Sequence, residues 1–232
     1  MNKINLDNRL ESMADLVRQG AVFADIGTDH GYLPVFLLLS GRIDRAILTD
    51  VNEGPLSTAL ATVKEYGLES KVKLVLADGL AGLEEEGITD VSVCGMGGEL
   101  ILRIISDADF LRREGVRLIL QPMTRQASLR ARLYELGFQI VSERYSFSHG
   151  KYYLGIAAEY SGVKKELTAV EAELGFVGFL EKDREAYLGY MRAKALSYEK
   201  AILGKRTAGE ETSGLEGLLS VARKLIADAS NE

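Results

Sequence analysis

The sequence predicts an α/β protein built on a doubly wound sheet of seven strands with an antiparallel edge. Short apolar runs alternate with helical patterns through the first five strands, and the last two strands follow each other with no helix between them. Glycines or acidic residues follow each of the first four strands. In such sheets a ligand binds beyond the carboxyl ends of the strands, where these residues would meet.

Each element follows from local periodicity and from glycine or proline boundaries. The predicted strands are 21–26, 45–51, 71–77, 90–94, 117–121, 138–141 and 152–160. The predicted helices are 6–19, 32–39, one ending at Tyr66, 99–108 and a basic helix that follows Pro122 and ends at Leu136. A loop rich in serine, with His149 and Gly150, is expected between the last two strands.

The first strand ends in a glycine-rich stretch that predicts a ligand loop. Gly27 and Gly31 lie four residues apart, and glycine allows positive φ and close approach of a ligand to the backbone. Asp25 lies at the strand end, and Asp50 ends the next strand, where nucleotide-binding folds place a ribose-hydroxyl acceptor. An ordinary strand-to-helix turn is the alternative for the glycine pair alone.

The charge of this loop indicates the kind of nucleotide. The dinucleotide fingerprint has a middle glycine beside the pyrophosphate. Here that position is Asp29, whose carboxylate would repel a pyrophosphate. A ligand with an amine and a sulfonium suits the loop better, and S-adenosylmethionine has both.

The chain after Ser161 predicts a second, helical unit, so the expected domains are 1–161 and 162–232. A helix is expected from Leu167 to about Leu203, bent near Gly175 and Gly178. One apolar stripe in this helix comprises Tyr187, Met191, Ala195, Tyr198 and Ile202, and a last helix carries Leu215, Leu218, Leu219, Ala222, Leu225 and Ile226. Two such stripes joined by a linker at 204–214 predict an antiparallel helical hairpin.

Composition excludes several classes of protein. With 232 residues and 47% hydrophobic content the chain can bury a full core, and no apolar run approaches the roughly 20 residues that cross a bilayer. The single cysteine, Cys94, excludes an internal disulfide and fits a reducing cytoplasm. Two histidines and one cysteine, widely separated, argue against a metal site. The sequence does not give the oligomeric state, and a monomer is expected.

The net charge of −6 argues mildly against a nucleic-acid partner, but the charge is unevenly distributed. Between Arg112 and Lys151 there are eight basic residues and three acids, a local excess of five positive charges. A solvated helix face is one interpretation of this segment, and phosphate binding is the other.

Five motifs together resemble a known family. They are 25–34 (DIGTDHGYLP), 52–55 (NEGP), 78–80 (DGL), 95–101 (GMGGELI) and 118–122 (LILQP). They are similar, in this order, to the bacterial tRNA adenine-N1 methyltransferases of the TrmK type, which modify the adenosine at tRNA position 22. The resemblance implies a Rossmann-like class I methyltransferase fold, S-adenosylmethionine as methyl donor and tRNA as partner.

The resemblance also implies roles for individual residues. The first loop (Asp25, Gly27, Thr28, His30, Gly31) would hold the methionine moiety. Asp50, with Val51 and Asn52, would bind the ribose and adenine, as would Asp78 and Gly79, while Gly95, Met96 and Gly97 would line the sulfonium and the incoming base. The pocket for that base would lie on the face bearing Gly95 and Gln121, and Arg125, Arg130 and Arg132 would contact phosphates.

The chemistry points to Asp29 as the catalytic residue. Adenine N1 carries a lone pair in the ring plane, so attack on a methyl sulfonium needs no prior deprotonation, and the product ring is cationic. A carboxylate near the ring would favour that charge, and Asp29 lies at the loop tip. Loop capping or a bond to the cofactor amine remains the alternative for Asp29. Tyr32 would stack on the base or pack in the core.

Three other functions remain open on the sequence alone. They are methylation of another RNA or of a small molecule, non-catalytic nucleotide binding, and a scaffold that meets partners through the terminal hairpin. Strand four lacks the Asn/Asp-Pro-Pro-aromatic motif of enzymes that methylate exocyclic adenine amines, which favours attack by a ring nitrogen. Cys94 lies inside a strand with no base expected beside it, which argues against a cysteine nucleophile.

Overall fold

The computed structural model describes residues 4–175 and 181–231 of the chain. Its strands are β1 (Ala21–Ile26), β2 (Ile43–Asp50), β3 (Val72–Leu76), β4 (Asp90–Gly97), β5 (Arg117–Thr124), β6 (Phe138–Ser148) and β7 (Lys151–Tyr160). Its α-helices are α1 (Asn8–Ala14), α2 (Tyr32–Leu39), α3 (Glu53–Glu65), α4 (Gly98–Ser106), α5 (Gln126–Glu135), α6 (Ala169–Leu174), α7 (Arg184–Thr207) and α8 (Ser213–Asn231). All seven predicted strands are present.

The seven strands form one sheet in the order β3-β2-β1-β4-β5-β7-β6. Strands β1 to β5 pair in parallel, whereas β7 runs antiparallel to both β5 and β6. The strand order reverses between β1 and β4, and this switch point leaves a crevice beyond their carboxyl ends. The predicted doubly wound sheet with an antiparallel edge is confirmed.

Both faces of the sheet are buried, which explains why the strands read as continuous apolar runs. In β1, Phe23 packs into the cluster formed with α1, α2 and α3. Its neighbours Ala24 and Ile26 pack into the opposite cluster with α4, α5 and the C-terminal helices. The alternation follows from the two-residue period of a strand.

Strand β6 is longer than predicted, because two charged residues lie inside it. The prediction ended the strand at Val141, whereas it continues to Ser148 and leaves only His149 and Gly150 as the turn. Glu143 and Arg144 are 2% and 4% exposed, and each pairs with a residue distant in sequence. Strands β4 and β5 also extend further than predicted, to Gly97 and Thr124, and α1 is shorter than predicted.

The C-terminal helices form the predicted hairpin but not the predicted continuous first helix. Helix α6 ends at Leu174, because Gly175 follows it with a φ of 74°, and Gly178 lies outside the described residues. Helices α7 and α8 then pair antiparallel, with Arg206 bound to Glu216 near the connection and Arg184 bound to the Ala229 carbonyl at the far end. The predicted linker contracts to 208–212.

Both apolar stripes of the hairpin face the protein interior, as predicted. The five stripe residues of α7 are buried, and those of α8 pack against the same apolar cluster as β4 and β5. Tyr145 of β6 lies between Tyr187 and Tyr190 of α7, with ring centroids 5.0 and 5.3 Å away. The apolar core is therefore continuous across residue 161, and the division into two domains stays a prediction.

Candidate active site

Backbone hydrogen bonds hold the carboxyl ends of β1, β2 and β3 together. The amides of Gly27 and Thr28 both donate to the Thr49 carbonyl, at 2.8 and 3.0 Å. The Ala77 amide donates to the Asp50 carbonyl at 3.0 Å, and the Thr49 hydroxyl donates to the Gly79 carbonyl at 3.1 Å. The loops that follow these strands are therefore fixed relative to one another.

The first loop requires glycine at two positions. Gly27 and Gly31 have φ values of 70° and 67°, a region that other residues rarely adopt. A Cβ at Gly27 would lie 2.0 Å from the Met96 methyl carbon, and one at Gly31 would lie 3.3 Å from both Ala59 and Leu48. The positive φ therefore favours glycine at both positions, and a Cβ at Gly27 would also require the flexible Met96 side chain to move.

A cavity of about 590 Å³ opens between the ends of β1 and β4. Its wall combines the first loop, the start of α2, the β4 end and the segment around α1. The lining residues are Asn5, Leu6, Asp7, Arg9, Leu10, Asp25, Ile26, Gly27, Thr28, Asp29, His30, Gly31, Tyr32, Leu33, Cys94, Gly95 and Met96. Nine of the predicted site residues therefore share one cavity.

Asp25 is the buried acid of this cavity, with 9% of its surface exposed. Burial raises the pKa of its carboxyl from 3.8 to about 6, and the nearby Thr28 and Ser92 hydroxyls offset only part of this effect. A carboxylate that is costly to keep charged gains most from a cationic ligand group.

The cavity suits S-adenosylmethionine by the groups it presents. The Thr28 hydroxyl is buried and near enough to Asp25 to lower its pKa, but it makes no well-formed hydrogen bond within the described residues, so it is available to a ligand. Asp25 offers a desolvated carboxylate for an ammonium group, and the glycine loop allows close approach of the backbone. A compact ligand with a cationic end and polar atoms fits this arrangement.

Asp29, His30 and Tyr32 form an exposed lip over the same cavity. The Asp29 carboxylate is 74% exposed and lies 3.2 Å from His30 Nε2. The imidazole of His30 stacks on the Tyr32 ring, with centroids 5.1 Å apart and planes within 11°. Tyr32 is thus an exposed ring at the cavity mouth rather than a core residue.

The ends of β2 and β3 carry the predicted ribose and adenine contacts. Asp50 accepts a hydrogen bond from the Asn52 amide at 2.8 Å, and Val51 between them is exposed. Asp78 and Gly79 line a separate cleft of about 230 Å³. There the Asp78 carboxylate pairs through two bonds with Arg103, at 3.0 and 3.1 Å.

Arg9 is a cavity residue that the sequence did not indicate. It lies on α1, and its guanidinium donates to the Gln121 amide oxygen at 2.7 Å and lies over the Tyr153 ring. Gln121 is completely buried and holds Arg9, so the prediction that Gln121 contacts the substrate is wrong. A gap of 112 residues separates the two partners, and no local pattern signals the pair.

The β4 end supplies the floor of the cavity. Gly95 has a φ of 76°, and Met96 lies against Gly27. Gly97 and Gly98 follow, and a Cβ at Gly98 would lie 2.8 Å from the Thr124 carbonyl, so β4 and β5 approach closely there. Burial raises the pKa of the Cys94 thiol to about 12, which argues against a thiolate nucleophile.

The three predicted phosphate-binding arginines have different environments. Arg125 is 69% exposed at the carboxyl edge, where it follows β5 with a φ of 58° and lies 3.4 Å from Glu99. Arg132 is exposed but pairs with Glu135 in the last turn of α5, at the end of the helix away from that edge.

Arg130 is completely buried, and its prediction as a phosphate contact is wrong. Its Nε donates to Glu143 at 2.6 Å, and its Nη1 donates to the Ala172 and Glu173 carbonyls of α6. Arg130 therefore joins α5, β6 and the start of the C-terminal helices. Gly175 packs over this pair, where a Cβ would lie 2.5 Å from Glu143.

Membrane-spanning and metal-binding features are both missing from residues 4–175 and 181–231. Within these ranges no helix has both the length and the apolar character needed to cross a bilayer. The same part of the chain brings together no three His, Cys, Asp or Glu side chains that could hold a metal ion.

Comparison with known proteins agrees with this arrangement. A family model described as a methyltransferase domain matches residues 6–156. The curated Bacillus subtilis tRNA (adenine(22)-N(1))-methyltransferase is 29% identical over 214 residues, which cover 91% of this chain and 90% of that protein.

Two solved structures contain relevant ligands. A Streptococcus pneumoniae protein in complex with S-adenosyl-L-methionine is 33% identical, with a TM-score of 0.80 over 96% of this chain and 100% of that one. TrmK of M. capricolum in complex with S-adenosyl-homocysteine is 26% identical, with a TM-score of 0.78 over 97% and 98% of the two chains. The chain therefore belongs to the methyltransferase domain family and, within it, to the TrmK group of bacterial tRNA adenine-N1 methyltransferases.

Proposed function

We propose that this protein transfers a methyl group from S-adenosylmethionine to N1 of an adenosine in tRNA, at position 22. The observation that carries the proposal is the cavity at the switch point of the sheet, where the buried Asp25 faces glycine-rich backbone from β1 and β4. Relatives named for this reaction align with nearly the whole chain, including the C-terminal helices.

The methionine moiety would be held by the first loop. Asp25 would accept from the ammonium group, the Thr28 hydroxyl would gain the partner it lacks, and Gly27 and Gly31 would let the ligand approach the backbone. The His30 side chain would cover the methionine moiety on its solvent-facing side. Arg9 supplies a cation on the opposite wall, suited to the carboxylate of the same moiety.

The nucleoside end would lie along the β2 and β3 ends. Asp50 would accept from the ribose hydroxyls, with the exposed Val51 and Asn52 against the adenine. Asp78 would accept from the adenine amine beside Gly79. Since Asp78 is engaged with Arg103, ligand binding would require this exposed ion pair to rearrange, which costs little in water.

The bound cofactor supplies an electrophilic methyl group on a sulfonium. The protein's task is to place adenine N1 in line with it and to favour the cationic ring that forms. Gly95, Met96 and Gly97 would line the path of the base. Tyr32, whose ring already stacks on His30, would stack on the flat face of the target adenine. Asp29 would lie near the positive charge that develops on that adenine.

Replacement of Asp29 by alanine tests its role. We expect cofactor affinity to stay near the wild-type value and kcat to fall about 100-fold, because the lost carboxylate acts on charge present only in the transition state. Calorimetry measures the first quantity, and single-turnover methylation measures the second. A collapse of cofactor affinity would instead assign Asp29 to the cofactor site.

On the tRNA side, Arg125 is the arginine we propose as a phosphate contact beside the cavity, and Arg132 would meet the RNA farther out. Specificity would come from tRNA shape and from a flipped base. A tRNA substrate implies action in the cytoplasm, and the proposed chemistry needs only a monomer.

The deciding experiment incubates the protein with labelled S-adenosylmethionine and unmodified bulk tRNA. Digestion to nucleosides should give 1-methyladenosine, and a transcript with guanosine at position 22 should accept no label. Label in a different nucleoside, or a protein that binds the cofactor but shows no salt-dependent affinity for tRNA, would contradict the proposal.

A further inference from the structure

The turn between β6 and β7 lies at the same edge of the sheet as the cavity. Strand β7 runs antiparallel to β5 with Ile156 opposite Leu120, so the turn at His149 and Gly150 projects beyond the carboxyl end of β5. Any RNA that presents a base to the cavity must pass this edge. A role for the turn in RNA binding therefore rests on the proposed function.

Two exposed aromatic rings flank the turn. Phe147 and Tyr152 are directly opposite each other on β6 and β7, and their ring centroids are 4.7 Å apart. They remain 45% and 39% exposed, although large apolar side chains are usually buried. The Tyr152 ring also packs on α7 at Gly189, where a Cβ would lie 2.2 Å from it, so the ring is supported from behind.

Contacts attach this turn to the N-terminal wall of the cavity. The Asn8 side-chain amide donates to the Phe147 carbonyl at 3.1 Å. His149 Nδ1 lies 3.7 Å from the carboxylate of Asp7, which lines the cavity. The aromatic pair is therefore held at a set position relative to the proposed methylation site.

The charges around the pair suit a polyanion. Lys151 is exposed at the turn beside the polar ring of His149, and Arg125 is exposed after the neighbouring strand, 3.4 Å from Glu99. Within the described residues, Arg125 and His149 are the two non-glycine residues with positive φ, at 58° and 48°. At His149 the positive φ, followed by 76° at Gly150, is what a two-residue hairpin turn of type I′ requires, so the turn fixes where His149 and Lys151 lie beside the aromatic pair.

We propose that Phe147 and Tyr152 form a stacking platform for a nucleotide base that flanks the target adenosine in tRNA. When the target base leaves its stack to enter the cavity, its neighbour loses a stacking partner. An aromatic pair with an adjacent cation replaces that partner and contacts the phosphate, a combination found in proteins that bind single-stranded nucleic acid.

The test uses the full-length protein with Phe147→Ala and Tyr152→Ala. Each change should raise the KM for unmodified tRNA about 10-fold while leaving the dissociation constant for S-adenosylmethionine unchanged. Phe147→Trp and Tyr152→Phe should keep the wild-type KM, because both retain a ring. Val163→Ala, which truncates an exposed apolar side chain near the other end of β7, is the matched control.

A second measurement reports stacking directly. A tRNA carrying 2-aminopurine at either nucleotide beside the target should lose fluorescence on binding the wild-type protein. The alanine variants should restore that fluorescence at saturating protein. Thermal melting of the same samples establishes that each variant is folded.

The outcomes separate this inference from the proposed function. If the wild-type protein forms no 1-methyladenosine, the proposed function fails and the platform with it. If it does, but both alanine variants keep the wild-type KM and quenching, only the platform is overturned. A wild-type dimer that dissociates in the double alanine variant would overturn it too, by assigning the pair to contact between copies.

Discussion

Replacement of Asp25 by asparagine is expected to stabilise the cofactor-free protein and to abolish tight cofactor binding. The pKa of about 6 in the folded state, against 3.8 ordinarily, means that the buried carboxylate opposes folding by about 3 kcal/mol at neutral pH. Asparagine removes that cost. It also removes the charge that would attract the ammonium group of S-adenosylmethionine.

The pH dependence follows from the sign of this shift. A raised carboxyl pKa means that the folded state binds more protons between about pH 4 and pH 6. As far as this group is concerned, the free energy of unfolding is therefore highest below pH 4, decreases as the pH rises towards 6, and stays about 3 kcal/mol lower above that. Cofactor affinity should follow the opposite course and increase as Asp25 ionises.

Chemical denaturation across pH 4 to 8, with and without S-adenosylmethionine, measures both trends. The Asp25→Asn substitution should flatten the change of the cofactor-free unfolding free energy between pH 4 and 6. Asp29→Asn is the matched control, since that carboxylate is exposed and should leave the unfolding free energy unchanged. A less stable Asp25→Asn protein, or one with normal cofactor affinity, would contradict this account.

Arg130→Ala is expected to lower the unfolding free energy by about 3 to 5 kcal/mol. The change leaves Glu143 buried without its cation and removes a donor from two carbonyls of α6. Lysine should not restore stability, because it lacks the planar fork that serves these acceptors together. Urea unfolding measures both variants.

Arg132→Ala is the control for this prediction. It removes an exposed arginine two positions along the same helix and should change stability by no more than about 0.5 kcal/mol. The double change Arg130→Met with Glu143→Leu should cost less than Arg130→Ala, because no unpaired charge stays buried. A stable Arg130→Ala protein with weakened tRNA binding would restore the phosphate-contact interpretation.

Much of the fold could be predicted because it depends on short-range patterns. The run from Ala21 to Ile26, the glycines at 27 and 31 and the stripe from Tyr187 to Ile202 each reveal their structure within a few residues. The carboxyl ends of parallel strands meet at one edge, so the residues that follow them could be placed together from the strand pattern alone.

The predictions that were wrong concern side chains whose partners are distant in sequence. Arg125 and Arg130 belong to one basic segment, yet one is exposed at the carboxyl edge and the other is buried. No residue within a helical turn of Arg130 indicates that its guanidinium will pair with Glu143 and the α6 carbonyls. The same holds for Gln121, whose partner Arg9 lies on the first helix.

The sequence by itself determined the order of strands and helices, the acidic and glycine-rich edge of the sheet and the apolar stripes of the terminal hairpin. Only the tertiary structure decided which charges are buried, which wall of the cavity carries Arg9 and which rings stay exposed beside the β6–β7 turn. The physical reason is that periodicity and backbone preference act over a few residues. Desolvation and ion pairing, in contrast, depend on which side chains from distant parts of the sequence the fold places next to each charged group.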